Sequence, residues 1–182
     1  IGCQVCLSGR SKPGLERAVK GIAALGGIAH SFPCDITRPA SIRSATQRIR
    51  KQIGEIDVLV NNAGVTVFKS FLDTTPAEFA AILETNLLGQ IMCIKSVLPS
   101  MVKRKTGWII NILSTAAVAT FENSAAYTAA KTGMLGLARV LREEMRQYNV
   151  KVLNILPGPT VTKMWAPADL KKYSHRMMKA RS

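Results

Sequence analysis

Five short apolar runs alternate with segments of helical period, and this alternation constrains the fold more than any other feature of the chain. The runs are Gln4–Ser8, Ala29–Pro33, Asp57–Val60, Trp108–Leu113 and Lys151–Leu156. After the first, Leu15, Ala18, Val19, Ile22 and Leu25 recur at helical spacing, with Ser11 as a candidate cap and Gly26-Gly27 as the stop. A second helix over 39–53 has Pro39 near its first turn and Gly54 past its end. Thr75-Pro76-Ala77-Glu78 has the form of a capping box. It opens a long helical stretch to about Arg104, with a kink expected near Asn86–Gly89. Ala130, Met134, Leu137, Leu141 and Met145 make one stripe of a helix over 126–147. Strands alternating with helices specify βαβ units and a parallel sheet. The expected fold class is α/β, a doubly wound, three-layer sheet in one domain over residues 1–182.

The polar groups fall at one edge of that sheet. Gly9-Arg10, Asp35, Asn61-Asn62-Ala63-Gly64, Ser114 and Pro157-Gly158 each follow the C-terminal end of a strand. Ligands of open α/β sheets bind along this edge. Ser114 ends the fourth strand, and Tyr127 and Lys131 begin the helix after it. Residues four apart share a helix face, so the phenol and the ammonium can aim at one point. The three would make an acid/base site. Tyr127 exchanges a proton, Lys131 lowers the tyrosine pKa, and Ser114 holds a substrate oxygen. Tyr-x-x-x-Lys alone is weak, because such pairs occur on many solvated helices.

Composition narrows the classes. The 182 residues suffice for a core, and 47% are hydrophobic. No apolar run reaches the roughly 18 residues of a membrane span, and residues 1–9 lack the pattern of a signal peptide. Cys3, Cys6, Cys34 and Cys93 show no metal spacing and read as buried, reduced thiols of a cytoplasm-like compartment. His30 and His175 are isolated, so no metal site is expected. A net charge of +14 invites nucleic acid, but the basic residues are dispersed and carry no aromatic interleaving. The longest basic runs are Lys103-Arg104-Lys105 at a helix end and the tail from Lys171 to Arg181.

The motifs CQVCLSGRS, CDIT, NNAG, ETNLLG, INILS, YTAAK and LPGPTVTKM resemble those of the short-chain dehydrogenase/reductases, in that family's order and spacing. The likeness covers nearly the whole chain and is strongest to the branch with the 3-oxoacyl-carrier-protein reductases. It implies a Rossmann-like domain that reduces a carbonyl, such as a 3-oxoacyl thioester, by hydride transfer from a nicotinamide. By the resemblance Tyr127 is the general acid/base, Lys131 holds the nicotinamide ribose, and Ser114 orients the substrate oxygen. Asn86 holds the kink and a relay water. Asp35 and the Ile36 backbone lie against adenine, and Asn61, Ala63 and Gly64 pass the adenosine ribose and steady the sheet. Pro157, Gly158, Thr160 and Thr162 hold the nicotinamide end. Where an acidic residue would select a ribose 2′-OH, this chain resembles Gly9 followed by Arg10, with Ser8 and Ser11 nearby. A guanidinium among hydroxyls suits a 2′-phosphate, which favours NADP(H) over NAD(H).

The resemblance also implies partners. The small face of Ala126, Ala129, Ala130, Gly133 and Gly136 either packs on the sheet or meets its mate in a homodimer or homotetramer. The basic surface suits an acidic acyl carrier, and Met164 and Trp165 an apolar substrate wall. The family's first strand, its G-x-x-x-G-x-G turn and the helix behind it have no counterpart here, nor has the last strand. The expectation is a fragment of a longer enzyme, with unpaired strand edges beside the gap and weakened dinucleotide binding. A non-catalytic oligomer subunit that keeps the fold is the alternative.

Overall fold

The computed structural model describes residues 2–162 and 177–179. The elements are β1 (Gln4–Gly9), α1 (Lys12–Ala24), β2 (Ile28–Pro33), α2 (Pro39–Gln52), β3 (Val58–Asn61), α3 (Pro76–Leu83), a π-helical turn (Glu84–Gly89), α4 (Gln90–Arg104), β4 (Gly107–Ile112), α5 (Ala125–Arg146), β5 (Val150–Ile155) and the short β6 (Thr160–Val161) and β7 (Met178–Lys179). All strand pairs are parallel. β1 pairs with β2, and β3, β4 and β5 follow in that order, but β1 and β3 do not pair. Among the described residues β1–β2 and β3–β5 are thus separate parts of the sheet, with β1 and β3 unpaired on the sides where the resemblance leaves a gap.

The local signals act as read. Ser11 caps α1 by accepting from Gly14 N at 3.2 Å, and Thr75 and Glu78 close the capping box of α3. Gly26, at φ 78°, turns the chain after α1. The core lies between one face of β3–β5 and helices α4 and α5, where Ile94, Val97, Met101, Ile109, Met134, Leu141 and Val152 pack together. α2 packs on α4 and joins the two parts of the sheet. The other face of β3–β5 carries Val58, Val60, Trp108, Leu153 and Ile155, all exposed.

The kink is a π turn, one residue wider than an α turn, and its cause is a close approach. A Cβ on Gly89 would lie 2.8 Å from Ile36 O and 3.0 Å from Ile36 Cγ1. The widened turn lets the loop after β2 sit on the helix. Gly89→Ala is expected to cost about 1–3 kcal/mol, since backbone is what it meets. Urea unfolding reads this, and an unchanged midpoint would contradict it.

Two expectations need correction. Cys3 is exposed and Cys6 and Cys93 are half-buried, so of the four free thiols only Cys34 is buried. The small face of α5 splits: Ala126 and Ala130 pack against Ile82 of α3, while Ala129, Gly133 and Gly136 are exposed. The continuous helical stretch Pro76–Arg104 has the length and mean hydropathy of a membrane-crossing segment. It also places Ile82, Asn86, Gln90, Ile94, Val97 and Met101 in the protein interior. Met164, Trp165 and His175 lie outside the described residues.

Candidate active site

Ser114 follows β4 and caps a 3₁₀ turn over Thr115–Ala117. Its Oγ accepts from Ala116 N at 3.1 Å, which leaves the hydroxyl proton to be donated elsewhere. The Tyr127 phenol lies near enough to that hydroxyl for Ser114 to favour its ionised form. Lys131, one turn further along α5, is 3% exposed and donates from Nζ to Ile112 O at 2.8 Å. Its Nζ lies 5.6 Å from the centroid of the Tyr127 ring. The alcohol, the phenol and the amine therefore converge at the C-terminal end of β4.

Their electrostatics differ from the expectation in one respect. Burial pushes the Tyr127 phenol above its ordinary pKa, and the Ser114 hydroxyl only partly opposes this. Burial also pushes Lys131 down, to about 8, so its positive charge beside the phenol is held only below that pH. In this state the phenol is a stable proton donor near neutrality, and the ammonium gives one of its three N–H groups to Ile112 O. The remaining donors suit ribose hydroxyls, so the residues present fit the nicotinamide end of a dinucleotide.

Asn86 is fully buried in the π turn. Its Oδ1 accepts from Val65 N at 2.8 Å and its Nδ2 donates to Val65 O at 2.7 Å. The side chain thus holds the kink against the 61–66 segment, and both its polar atoms are occupied by that task. Asn61 is buried too and donates to Asn111, so its amide steadies the sheet. Ala63 O accepts from Gln90 Nε2 at 2.7 Å, which fixes the Asn61–Gly64 turn from below. Gln90 and Asn154 lie outside the motifs, and Asn111 lies inside INILS with no role assigned to it by the sequence. Asn111 and Asn154 stand as polar residues inside apolar strands, and that was their signal.

At the far end of the edge, Asp35 accepts from Thr37 N at 3.0 Å and Thr37 Oγ1 at 2.8 Å. Those bonds hold its carboxyl below the ordinary range, with Arg10 and Arg38 assisting. Arg10 is exposed, close to Asp35 and to the N-terminus of α1, whose first turn has no acidic residue. An anion would be favoured there by the guanidinium and the helix dipole together. Ser8 is exposed on β1 and Ile36 packs under Gly89. Pro157 O accepts from Thr115 N at 3.0 Å, tying the Pro157-Gly158 loop to the turn after Ser114. Thr160 Oγ1 donates to Gly158 O at 3.0 Å, and Thr162 is exposed just beyond.

A cavity of about 430 Å³ lies on the Thr128 side of α5, between Ser70-Phe71 and residues 120–125. It does not include Ser114, Tyr127 or Lys131. The basic run at the end of α4 is at the opposite end of the sheet from Ser114. There Arg104 pairs with Asp57 at 2.7 Å and donates to Ile56 O at 2.9 Å. Among the described residues no cluster could hold a metal ion.

Parallel strands, a strand-end Ser and a Tyr-x-x-x-Lys helix define a Rossmann-type α/β protein with a candidate site at the carboxyl edge of the sheet. Residues 1–172 match the family model described as short chain dehydrogenase. The chain belongs to the short-chain dehydrogenase/reductase family, whose members work with nicotinamide cofactors. It is 33% identical over 172 residues to a sepiapterin reductase of Chlorobaculum tepidum, covering 94% of this chain and 70% of that one. It is 35% identical over 150 residues to the 3-oxoacyl-[acyl-carrier-protein] reductase FabG of Salmonella typhimurium, covering 82% and 62%. The crystal structure of a short-chain type dehydrogenase/reductase from Mycobacterium marinum superposes with a TM-score of 0.90 at 25% identity, covering 97% and 73%. The chain spans 53–70% of the length of three curated relatives it matches.

Proposed function

We propose that the chain carries the catalytic part of an NADPH-dependent carbonyl reductase. The observation that carries this reading is the convergence of Ser114, Tyr127 and Lys131. The nicotinamide, when bound, supplies the hydride. Ser114 donates to the substrate oxygen and fixes its position beside the phenol. Tyr127 gives its proton to that oxygen as it gains negative charge. Lys131 stabilises the phenolate left behind and anchors a ribose with its free N–H donors. Asn86 keeps the Val65 segment and the helix in register beneath them. Pro157, Gly158, Thr160 and Thr162 line the nicotinamide end, and Asp35, Ile36, Ala63 and Gly64 the adenosine end.

A 3-oxoacyl thioester is the substrate favoured by the likeness to the carrier-protein reductase. Four free thiols fit a reducing compartment such as the cytoplasm. The exposed stripe of Ala129, Gly133, Gly136 and Val140 on α5 fits a homodimer or homotetramer. A second reading, a subunit with impaired cofactor binding, is favoured by the gap between β1 and β3. Carbonyl-dependent oxidation of NADPH by the purified chain separates the two. Turnover supports the reductase, and its absence with every carbonyl tried supports the impaired subunit.

Cofactor choice rests on Arg10 and has its own test. Arg10→Ala is expected to raise the KM for NADPH about 10- to 100-fold, the worth of one charge-assisted contact. The KM for NADH should stay within about 3-fold, because no phosphate contact is lost. Equal changes for both cofactors would remove the assignment.

A further inference from the structure

Three asparagines stand side by side across the sheet. Asn61 of β3 is in register with Asn111 of β4, and Asn111 with Asn154 of β5. Asn61 Nδ2 donates to Asn111 Oδ1 at 3.0 Å, and Asn111 Nδ2 donates to Asn154 Oδ1 at 3.0 Å. Asn61 and Asn111 are buried and Asn154 is half-buried. We infer that this ladder of amides fixes the register of β4 against its neighbours and so sets the height of Ile112 and Ser114 against Lys131 and Tyr127. Asn111 and Asn154 are then positioning residues of the active site. The activity arm of the test rests on the function proposed above.

The need for such a device follows from the strands. β4 offers Trp108, Ile109, Ile110 and Ile112, and β5 offers Val150, Val152, Leu153 and Ile155. A slip of one residue would turn every side chain to the wrong face. A slip of two would keep the faces and set apolar residues against apolar residues, so burial alone distinguishes it poorly. It would nonetheless carry Ser114 about 7 Å along the strand, out of reach of Tyr127. In the slipped register Asn111 would face Val152 or a position beyond Asn154, and buried amides would lose their partners. Single buried polar residues fix register in this way in other assemblies. The ladder is one residue from Ile112, whose carbonyl takes the Lys131 ammonium at 2.8 Å.

The test compares Asn154→Leu with Asn154→Asp. The aspartate keeps the Oδ1 acceptor that Asn111 uses, and the leucine removes it. Asn154→Leu is expected to lower kcat about 10-fold with the NADPH KM within about 2-fold, and Asn154→Asp to stay within about 3-fold of wild type. Should the leucine variant not fold, Asn154→Ala at this half-buried position is expected to give the same split. A wild-type kcat and pH profile in the leucine or alanine variant overturns the inference, as does an aspartate variant equally impaired. If the unaltered chain reduces no carbonyl, the functional reading fails and the ladder is read separately, by NMR titration of the Lys131 ammonium. The midpoint should match wild type in Asn154→Asp and move by about one unit or more in Asn154→Leu. A midpoint that does not move overturns the inference.

Discussion

Tyr127→Phe is expected to lower kcat for carbonyl reduction by about 10²–10⁴-fold, the range for losing a positioned general acid. The substitution removes one oxygen and leaves the ring where it packs, against Ile82, Ala126 and Ala130. The KM for NADPH should therefore change little, and the thermal midpoint should hold. The pH profile carries the second half of the expectation. Burial raises the phenol pKa in the cofactor-free protein, so the donor form is fully populated at neutral pH and below. Reduction should be flat up to about pH 7 and fall at alkaline pH, first as the Lys131 ammonium and then as the phenol deprotonates. Steady-state rates across pH for the two forms check both points. A phenylalanine variant that keeps the wild-type rate would remove Tyr127 from the reaction.

Lys131→Met is expected to make the protein more stable near pH 7 and much less active. Burial holds the Lys131 ammonium at a pKa of about 8, against 10.5 for a free lysine. The unfolded chain therefore binds the extra proton more tightly than the folded one between those values. Stability from this group is lowest below pH 8 and rises with pH toward 10.5, by roughly 3 kcal/mol over the full window. Tyr127 works in the opposite sense. Its raised pKa subtracts stability only once the pH passes the ordinary tyrosine value of 10. The net expectation is a rise in unfolding free energy between about pH 8 and 10 that the methionine variant lacks. At pH 7 the variant should gain about 2 kcal/mol, the relieved desolvation less the unpaired Ile112 carbonyl. Its kcat should fall at least about 100-fold, because the phenolate loses its neighbouring charge. Urea unfolding at three pH values tests the stability claim, and a methionine variant with an unchanged pH slope would refute it.

These effects bear on how much of the molecule could be read before its structure. The helix starts were legible because Ser11, Pro39 and Thr75 act within one turn of sequence. The kink at Asn86–Gly89 was legible as an interruption, but its cause was not. Gly89 is required by Ile36, and that contact spans more than fifty residues of chain. The three residues of the proposed acid/base site are legible because two share a helix face and the third ends the preceding strand. The electrostatics are less so. A lysine four residues from a tyrosine reads as a charge that lowers its pKa, whereas burial of both groups dominates here. The ladder is illegible in the sequence for a related reason: in a strand apolar on both sides, alternation does not say which face Asn111 takes. The exposed Cys3 shows the converse: a thiol beside a strand is not thereby part of the core.

The measurement that tests the central claim most directly is turnover by the triple variant Ser114→Ala/Tyr127→Phe/Lys131→Met beside Tyr127→Phe alone. Groups that move one proton as a unit lose their effect together, so the triple variant should turn over within about 3-fold of the single one. Losses that multiply across the three positions would mean that the alcohol, the phenol and the amine act separately, and the account of a single site at the end of β4 would be contradicted.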